Sequence, residues 1–231
     1  MNVEIRRGSV RFVERERGRL SRHAFSFGPH FDPERLSFGP MVCHDDHVLG
    51  PDLGFEEHTH QALEIVTWVV SGTVVHTDGT GAAVTLGPGE CGVLSAGAGV
   101  RHSEFAGPDG PVRFVQVWLT ADDPETTPAH ARAAVVAEPG AGLVRAVGDG
   151  GPLSVGVSGA TLDVVRLEAG EVLSLPAAHQ VHAYITTGAL LRFSLAEPLS
   201  AGDAFSLTGQ PSYDVTAAVP TEMLIWGFEA R

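Results

Sequence analysis

The chain has 231 residues, a formal net charge of −13 at pH 7 and 43% hydrophobic residues. This acidic balance argues against binding to the phosphate backbone of nucleic acids as the main activity. No apolar run approaches the roughly 18–20 residues that a membrane span needs, and the N-terminus lacks the apolar stretch of a signal peptide. The two cysteines do not make a disulfide framework, so we expect a soluble, cytoplasmic protein.

Short apolar runs alternate with many turn residues, since the chain contains 28 glycines and 15 prolines. This pattern is typical of many short strands. Residues 3–15 predict one or two edge strands, and residues 23–28 predict a short strand that enters a barrel. Residues 44–47, His-Asp-Asp-His, are interpreted as a turn, because Asp-Asp is favourable turn chemistry. A second metal site there is the weaker alternative, because adjacent residues alternate sides of a strand.

Residues 62–76 form two β-branched runs separated by Ser71-Gly72, which predicts a hairpin. Residues 120–130 are polar and contain prolines, so we interpret them as an inter-domain linker. The apolar segment 222–228 predicts a strand that either closes a second barrel or crosses over to the first.

The two halves of the chain carry the same turn pattern. The segment Leu86-Gly87-Pro88-Gly89-Glu90 matches Leu199-Ser200-Ala201-Gly202-Asp203. The segment around Ser71-Gly72 matches the one around Thr187-Gly188 in the same way. We therefore predict one turn-rich β unit that is used twice.

Candidate metal ligands occur in two segments of the first half. His58 and His60 are two residues apart, so in an extended strand their side chains point to the same side. His102 and Glu104 repeat this spacing. Three imidazoles and one carboxylate make a four-ligand site for a divalent first-row metal. Glu64 shares a strand face with His60, so the spacing leaves Glu64 and Glu104 as alternative carboxylates.

The second half lacks this set of ligands. Aligned on the glycines of the two predicted hairpins, Pro176 stands opposite His60 and Gln180 stands opposite Glu64. His179 and His182 are three residues apart and therefore face opposite sides of a strand. We predict no metal in this half.

Several segments together resemble the pirin family of the cupin superfamily. They are HAFSFG (23–28), FDPERLSFGP (31–40), HTHQALEIVTWVVSG (58–72), LGPGECGVLSAGAGVRHSE (86–104) and RFVQVWL (113–119). The resemblance implies an all-β bicupin fold, in which two antiparallel cupin β-barrels of the jelly-roll type pack face to face. It implies an N-terminal cupin domain with a metal site at 1–122 and a degenerate C-terminal cupin domain without metal at 123–231.

The resemblance also implies the ligand set. It places the metal on His58, His60, His102 and Glu104, with Fe(II) as the expected ion. Zn, Mn, Ni, Co and Cu remain open, because imidazole binds them all. Glu64 would then support a ligand histidine by a hydrogen bond, or act, as Glu104 also could, on a substrate hydroxyl.

Two functions follow from the resemblance. Some bacterial members look like quercetin 2,3-dioxygenases, which implies a metal-dependent enzyme that cleaves a small flavonol-like aromatic with O2. Four phenylalanines are candidates for the entrance: Phe25, Phe27, Phe38 and Phe55. The alternative is a non-enzymatic metal-sensing or redox-sensing regulator that binds a protein partner. We expect a monomer with no direct nucleic-acid or membrane partner.

Overall fold

The computed structural model describes residues 2–192, 197–209 and 212–230. The strands of the first part of the chain are β1 (Asn2–Arg6), β2 (Phe12–Glu16), β3 (Arg19–His23), β4 (Met41–Leu49), β5 (Gly54–His60), β6 (Leu63–Ser71), β7 (Val74–Asp78), β8 (Ala83–Leu86), β9 (Glu90–Ser95), β10 (Val100–Ala106), β11 (Val112–Thr120) and β12 (Ala129–Ala134). Those of the second part are β13 (Val144–Val147), β14 (Ala160–Leu167), β15 (Val172–Ser174), β16 (Gln180–Thr187), β17 (Ala189–Leu190), β18 (Leu199–Ser200), β19 (Ala204–Thr208), β20 (Asp214–Thr216) and β21 (Thr221–Phe228). A 3-10 turn spans Gly8–Val10. No helix in the described residues is long and apolar enough to cross a membrane.

The strands form two compact units. The first unit contains residues 12–134 and 155–157, and the second unit contains residues 1–11, 135–154 and 158–231. This division differs from the predicted boundary after residue 122, because β12 pairs with β9 and β1 pairs with β19. The predicted linker therefore runs directly into a strand of the first unit.

The first unit consists of two antiparallel sheets. Seven strands lie in the order β12-β9-β6-β11-β4-β3-β2, and four lie in the order β5-β10-β7-β8. An apolar cluster that includes Val69, Val74, Leu86 and Phe114 brings together residues from both sheets. The burial of apolar side chains from both sheets in one cluster stabilises this arrangement.

The second unit consists of one large sheet and two small ones. Its six-stranded sheet has the order β1-β19-β16-β21-β14-β13, and the pairs β15-β20 and β17-β18 complete the unit. Every residue of β21 is buried, and this strand pairs on one side with β14 and on the other with β16. The last strand therefore belongs to the second unit, which is the first of the two predicted alternatives. The prediction of an all-β fold with antiparallel sheets is confirmed.

The predicted hairpin at Ser71-Gly72 is a corner between sheets. Strand β6 pairs with β9 and β11, whereas β7 pairs with β8 and β10, so the two strands are not partners. Gly72 has φ +73°, and a Cβ atom there would lie 2.2 Å from the carbonyl oxygen of Pro111. Only glycine fits this turn without strain. The sequence located the turn correctly but gave the wrong partners for its strands.

The second unit contains the same corner at Gly188. This residue has φ +83°, and a Cβ atom there would lie 2.4 Å from the carbonyl oxygen of Pro220. The turns that follow also correspond, because the Gly89 N–H donates to the Val69 carbonyl and the Gly202 N–H donates to the Ile185 carbonyl. The two units therefore share the local geometry that the repeated turn pattern predicts.

The segment 44–47 is a strand and not the predicted turn. It lies in the middle of β4, and all four side chains of the segment are buried. Strand β4 pairs with β3 on one side and with β11 on the other. Pairing on both edges of the strand outweighs the preference of Asp-Asp for turns.

Replacement of Gly72 by alanine is expected to destabilise the protein much more than replacement of Gly81. Both glycines have positive φ, which costs an alanine about 1–2 kcal/mol. A Cβ at Gly81 meets no atom within 4 Å, whereas one at Gly72 collides with the backbone of Pro111. The collision should add at least about 1–3 kcal/mol, as overpacking does. Denaturant unfolding of the two variants measures the difference, and equal losses would contradict the close contact.

Candidate metal centre

The three predicted histidines lie together in the first unit. His58 and His60 are on β5, and His102 is on the neighbouring strand β10. In the antiparallel register His102 stands opposite His58, and Val100 stands opposite His60. One candidate ligand atom from each of the three imidazoles lies within 4.8 Å of the other two. This is the only such group of histidine, cysteine or acidic side chains among the residues that the structure describes.

The hydrogen bonds indicate which nitrogen of each ring is free. Nδ1 of His58 lies 2.8 Å from the carbonyl oxygen of Glu56 and therefore donates its proton there. Nδ1 of His102 is hydrogen-bonded to Nε2 of His76. The Nε2 atoms of His60 and His102 are buried and have no hydrogen-bond partner. Buried polar atoms without a partner are rare in folded proteins. These nitrogens fit a metal ion.

The environment of His60 and His102 favours the neutral form of both rings. Burial and, to a smaller extent, the nearby His58 together lower the pKa of His60 to about 4. Burial also lowers the pKa of His102, with further contributions from His76 and His58. Neutral imidazole is the form that binds metals. At neutral pH the nitrogens of His60 and His102 are therefore ready to bind a cation.

Glu104 lies two residues beyond His102 on β10 but does not join the group of three histidines. Its side chain is buried, and its Oε1 accepts a hydrogen bond of 2.7 Å from Nε2 of Gln116. The Trp118 Nε1–H donates to Oε1 of Gln116, at 2.8 Å, and so fixes the orientation of that amide. Burial raises the pKa of the Glu104 carboxyl to about 7, against the effect of the Gln116 hydrogen bond.

Glu64 has other partners. Ser95 Oγ donates to its Oε2 at 2.7 Å, and the backbone N–H of Gly156 also donates to the carboxylate. Burial raises the pKa of Glu64, and these two hydrogen bonds oppose the shift. The structure therefore does not bring Glu64 into the histidine group, and its carboxylate links β6 to β9 and to the segment 155–157.

Two further histidines adjoin the cluster, and the sequence reasoning missed them. His76 on β7 packs on His102 with ring centroids 4.5 Å apart, and His130 on β12 packs on His76 at 4.4 Å. Burial lowers the pKa of both rings, that of His76 to about 4. His76 has no histidine at the diagnostic spacing of two residues, so its position depends on the pairing of β7 with β10.

A cavity of about 300 Å³ opens beside the cluster. Its lining residues come from β2, β3, β4, β5, β10 and β11 and from the loop after β3: Glu14, Arg19, Ser21, His23, Phe27, Asp45, His47, Phe55, Glu56, His58, Glu104, Gln116 and Trp118. Its size is at the low end of the range for small-molecule sites, and aromatic walls with a few polar groups are typical of them. Of the four phenylalanines that the sequence suggested, Phe27 and Phe55 line it.

One part of this wall is a buried histidine–aspartate pair. Nδ1 of His23 lies 2.6 Å from Oδ2 of Asp45, and both side chains are buried. Beside them, Ser21 Oγ and Nδ1 of His47 are hydrogen-bonded at 2.8 Å. The interpretation of residues 44–47 as a turn did not predict this pair, which depends on the pairing of β4 with β3.

Replacement of Asp45 by asparagine is expected to lower the pKa of His23. Burial lowers this pKa, but the hydrogen bond to Asp45 and the charges of Asp45 and Glu14 outweigh it and raise the pKa above 6.5. Asparagine keeps an acceptor and removes one charge. Because the folded pKa is raised, the stability that the pair contributes is present below pH 6.5 and is lost as the pH rises through the folded value. An NMR titration of the imidazole tests this, and an unchanged pKa would contradict it.

The interior of the second unit contains different side chains from the interior of the first unit. Its interior holds an apolar cluster that includes Leu173, Leu175, Val215 and Ala217, on and beside the paired strands β15 and β20. In chain order β15 and β20 directly precede the long strands β16 and β21, as β5 and β10 directly precede β6 and β11 in the first unit. Apolar side chains offer no ligand atoms for a metal. The interior of the second unit therefore differs in its side chains from the histidine-containing interior of the first.

The sequence of this chain matches a known protein family. A family model described as Pirin matches residues 6–119. A Mycobacterium bovis protein named "Putative quercetin 2,3-dioxygenase" is 36% identical over 235 residues, which cover 99% of this chain and 96% of the relative.

Solved structures show the same fold. The crystal structure of a bacterial pirin from Escherichia coli in complex with nickel(II) superposes with a TM-score of 0.90 at 24% identity, and the match covers 100% of both chains. The structure of a quercetin 2,3-dioxygenase from Acinetobacter baumannii superposes with a TM-score of 0.76 at 21% identity, covering 91% of this chain and 80% of the other. The predicted bicupin fold is thereby confirmed, and the chain belongs to the pirin family.

Proposed function

We propose that this chain binds one divalent transition metal through Nε2 of His58, His60 and His102 and oxidises a hydroxylated aromatic molecule with O2. The observation that carries the proposal is the convergence of three imidazoles beside an aromatic-lined cavity. The substrate class that we propose is a flavonol, in line with the names of the Mycobacterium and Acinetobacter relatives.

Glu104 is the proposed fourth ligand. It is buried and lines the same cavity as His58, and Gln116 holds one of its oxygens in place. A bound Fe(II) would polarise a substrate hydroxyl and supply the redox chemistry that O2 requires. Iron is the proposed ion because of this redox role, although the E. coli pirin was crystallised with nickel(II).

The protein's own contribution is to position the substrate and to exclude water. Phe27, Phe55 and Trp118 form flat walls against which an aromatic ring can stack. Glu104 lies at the cavity in position to accept the proton of a hydroxyl group. We assign Glu64 to support of the site and not to proton transfer, because Ser95 and Gly156 already occupy its carboxylate.

We further propose that the protein acts in the cytoplasm. Cys43 and Cys91 are both buried and form no disulfide, as suits a compartment that keeps thiols reduced.

Anaerobic loading with Fe(II), followed by quercetin and then O2, tests the activity. We expect the flavonol absorbance to disappear and carbon monoxide to be released. If quercetin remained unchanged and no carbon monoxide appeared with iron, manganese, nickel or copper, the dioxygenase proposal would be rejected. Protein that binds metal under those conditions would then fit the regulatory alternative better.

A further inference from the structure

The wall of the cavity contains the buried His23–Asp45 pair. His23 is 2% exposed and Asp45 is 3% exposed, yet both line the cavity. The Asp45 carboxylate accepts the Nδ1–H of His23 and so fixes the orientation of the ring. Neither residue belongs to the group of His58, His60 and His102.

The other nitrogen of His23, Nε2, makes no hydrogen bond of good geometry in the structure. This nitrogen is buried, and Oε2 of Glu14 lies 3.5 Å away, within ion-pair distance when the ring is protonated. A pair with a purely structural role would satisfy both nitrogens, because an unpaired buried polar atom costs free energy. A ring that one carboxylate orients and that lines a cavity has the arrangement of a ligand-binding group.

The charges around the cavity restrict the ligand. Four carboxylates line it, on Glu14, Asp45, Glu56 and Glu104, against the single guanidinium of Arg19. Arg19 is itself paired with Glu14 and with Glu16. A carboxylate or phosphate ligand would be repelled here, whereas a neutral ligand would not be. The groups nearest to His23 are Asp45 and His47 on β4, Glu14 on β2 and His30 in the loop after β3.

Aromatic rings connect this pair with the histidine cluster. Phe27 stacks on His23 with ring centroids 5.0 Å apart and meets Trp118 edge-on at 5.6 Å. Trp118 in turn contacts His60 at 4.7 Å. A flat molecule that lies along these rings would have one end near the cluster and the other near His23.

We propose that His23, oriented by Asp45, forms a second binding subsite for a hydroxyl group of a neutral, hydroxylated aromatic ligand whose other end faces the three histidines. A hydroxyl group both donates and accepts, so it can pair with Nε2 in either protonation state of the ring. This inference rests on the proposed function for the second end of the ligand. It adds that the cavity selects ligands that carry a hydroxyl group at the end remote from the position that is oxidised.

Two flavonols test the subsite. Quercetin carries hydroxyls on its outer rings, and 3-hydroxyflavone keeps the 3-hydroxyl but lacks the others. Their dissociation constants are measured by calorimetry with metal-loaded protein without O2, so that no turnover occurs. Wild-type protein should bind quercetin at least about tenfold more tightly, as one hydrogen bond to a buried polar group allows.

His23→Asn is the discriminating variant. An asparagine amide can still donate to Asp45 but has no atom at the position of Nε2, so the preference for quercetin should fall to near one. His23→Gln, whose amide reaches further, should recover part of it. His30→Asn is the matched control and should keep the wild-type preference, because His30 does not line the cavity. Thermal unfolding verifies that each variant is folded.

A measurement on the wild-type chain needs no variant. The Nε2 resonance of His23 in an NMR spectrum should shift when quercetin is added and should stay in place with 3-hydroxyflavone. Equal binding of the two flavonols by the wild type, or a full preference in His23→Asn, would overturn the subsite. Turnover of both flavonols without preference would reject the subsite alone, and a preference without turnover would reject the proposed dioxygenase activity alone.

Discussion

The His60→Phe variant is expected to lose its metal and yet to unfold no more easily than metal-free wild-type protein. Phenylalanine keeps a flat ring against Trp118, which His60 contacts with ring centroids 4.7 Å apart. It removes the buried Nε2, which has no hydrogen-bond partner. An unsatisfied buried polar atom costs about 1–3 kcal/mol. The metal-free variant should therefore be equally stable or more stable by about that amount.

Metal affinity should fall by more than the roughly 10–100-fold that is typical when a group supporting a ligand is lost. Elemental analysis after loading should find close to one metal ion per chain in the wild type and almost none in the variant. His130→Phe is the control, because His130 adjoins the cluster through His76 and is not one of its three members. It should retain the metal. A His60→Phe protein with full metal content would remove His60 from the site.

The second large effect is expected at Glu104. Glutamine at this position still accepts the hydrogen bond from Gln116, so the fold should be preserved. It removes the charge of the proposed fourth ligand and the group in position to accept a proton. Loss of a positioned acid–base group costs roughly 10²–10⁴-fold in rate, and we expect kcat for quercetin to fall within that range.

Glu64→Gln is the matched comparison. Its carboxylate accepts hydrogen bonds from Ser95 and Gly156, so glutamine should leave at least one of these donors unsatisfied. We expect a loss of about 1–3 kcal/mol in the free energy of unfolding and a kcat within a few-fold of wild type. Steady-state kinetics with the metal content measured in each sample separates the two outcomes. A larger loss of kcat at Glu64 than at Glu104 would reverse the assignment of the two carboxylates.

The histidine cluster could be predicted because its signal is local. The spacing of His58 and His60, and of His102 and Glu104, requires only the two-residue period of a strand. The alternative between Glu64 and Glu104 could not be decided in this way. It depends on which side chains meet across strands, and the structure shows that Ser95 and Gly156 occupy Glu64.

Features that depend on pairing between distant strands could not be predicted from the sequence. His76 reaches His102 because β7 pairs with β10, and Asp45 meets His23 because β4 pairs with β3. The turn chemistry of Asp45-Asp46 is a real local preference, but a strand paired on both sides overrides it. The turn at Gly72 could be predicted because its cause is local. A positive φ favours glycine, so the residue type itself indicates the turn.

The position of β1 bears on how the chain folds during synthesis. Its partner β19 lies about 200 residues further along, with Asn2 opposite Thr208 and Arg6 opposite Ala204. At roughly 5–20 residues per second, the ribosome needs about 10–40 s to reach that partner. Throughout that time, β1 is an unpaired strand on a nascent chain whose first unit can already form. A chaperone that binds this segment, or a tag fused to it, would therefore act on the pairing of β1 with β19, which cannot precede the synthesis of β19.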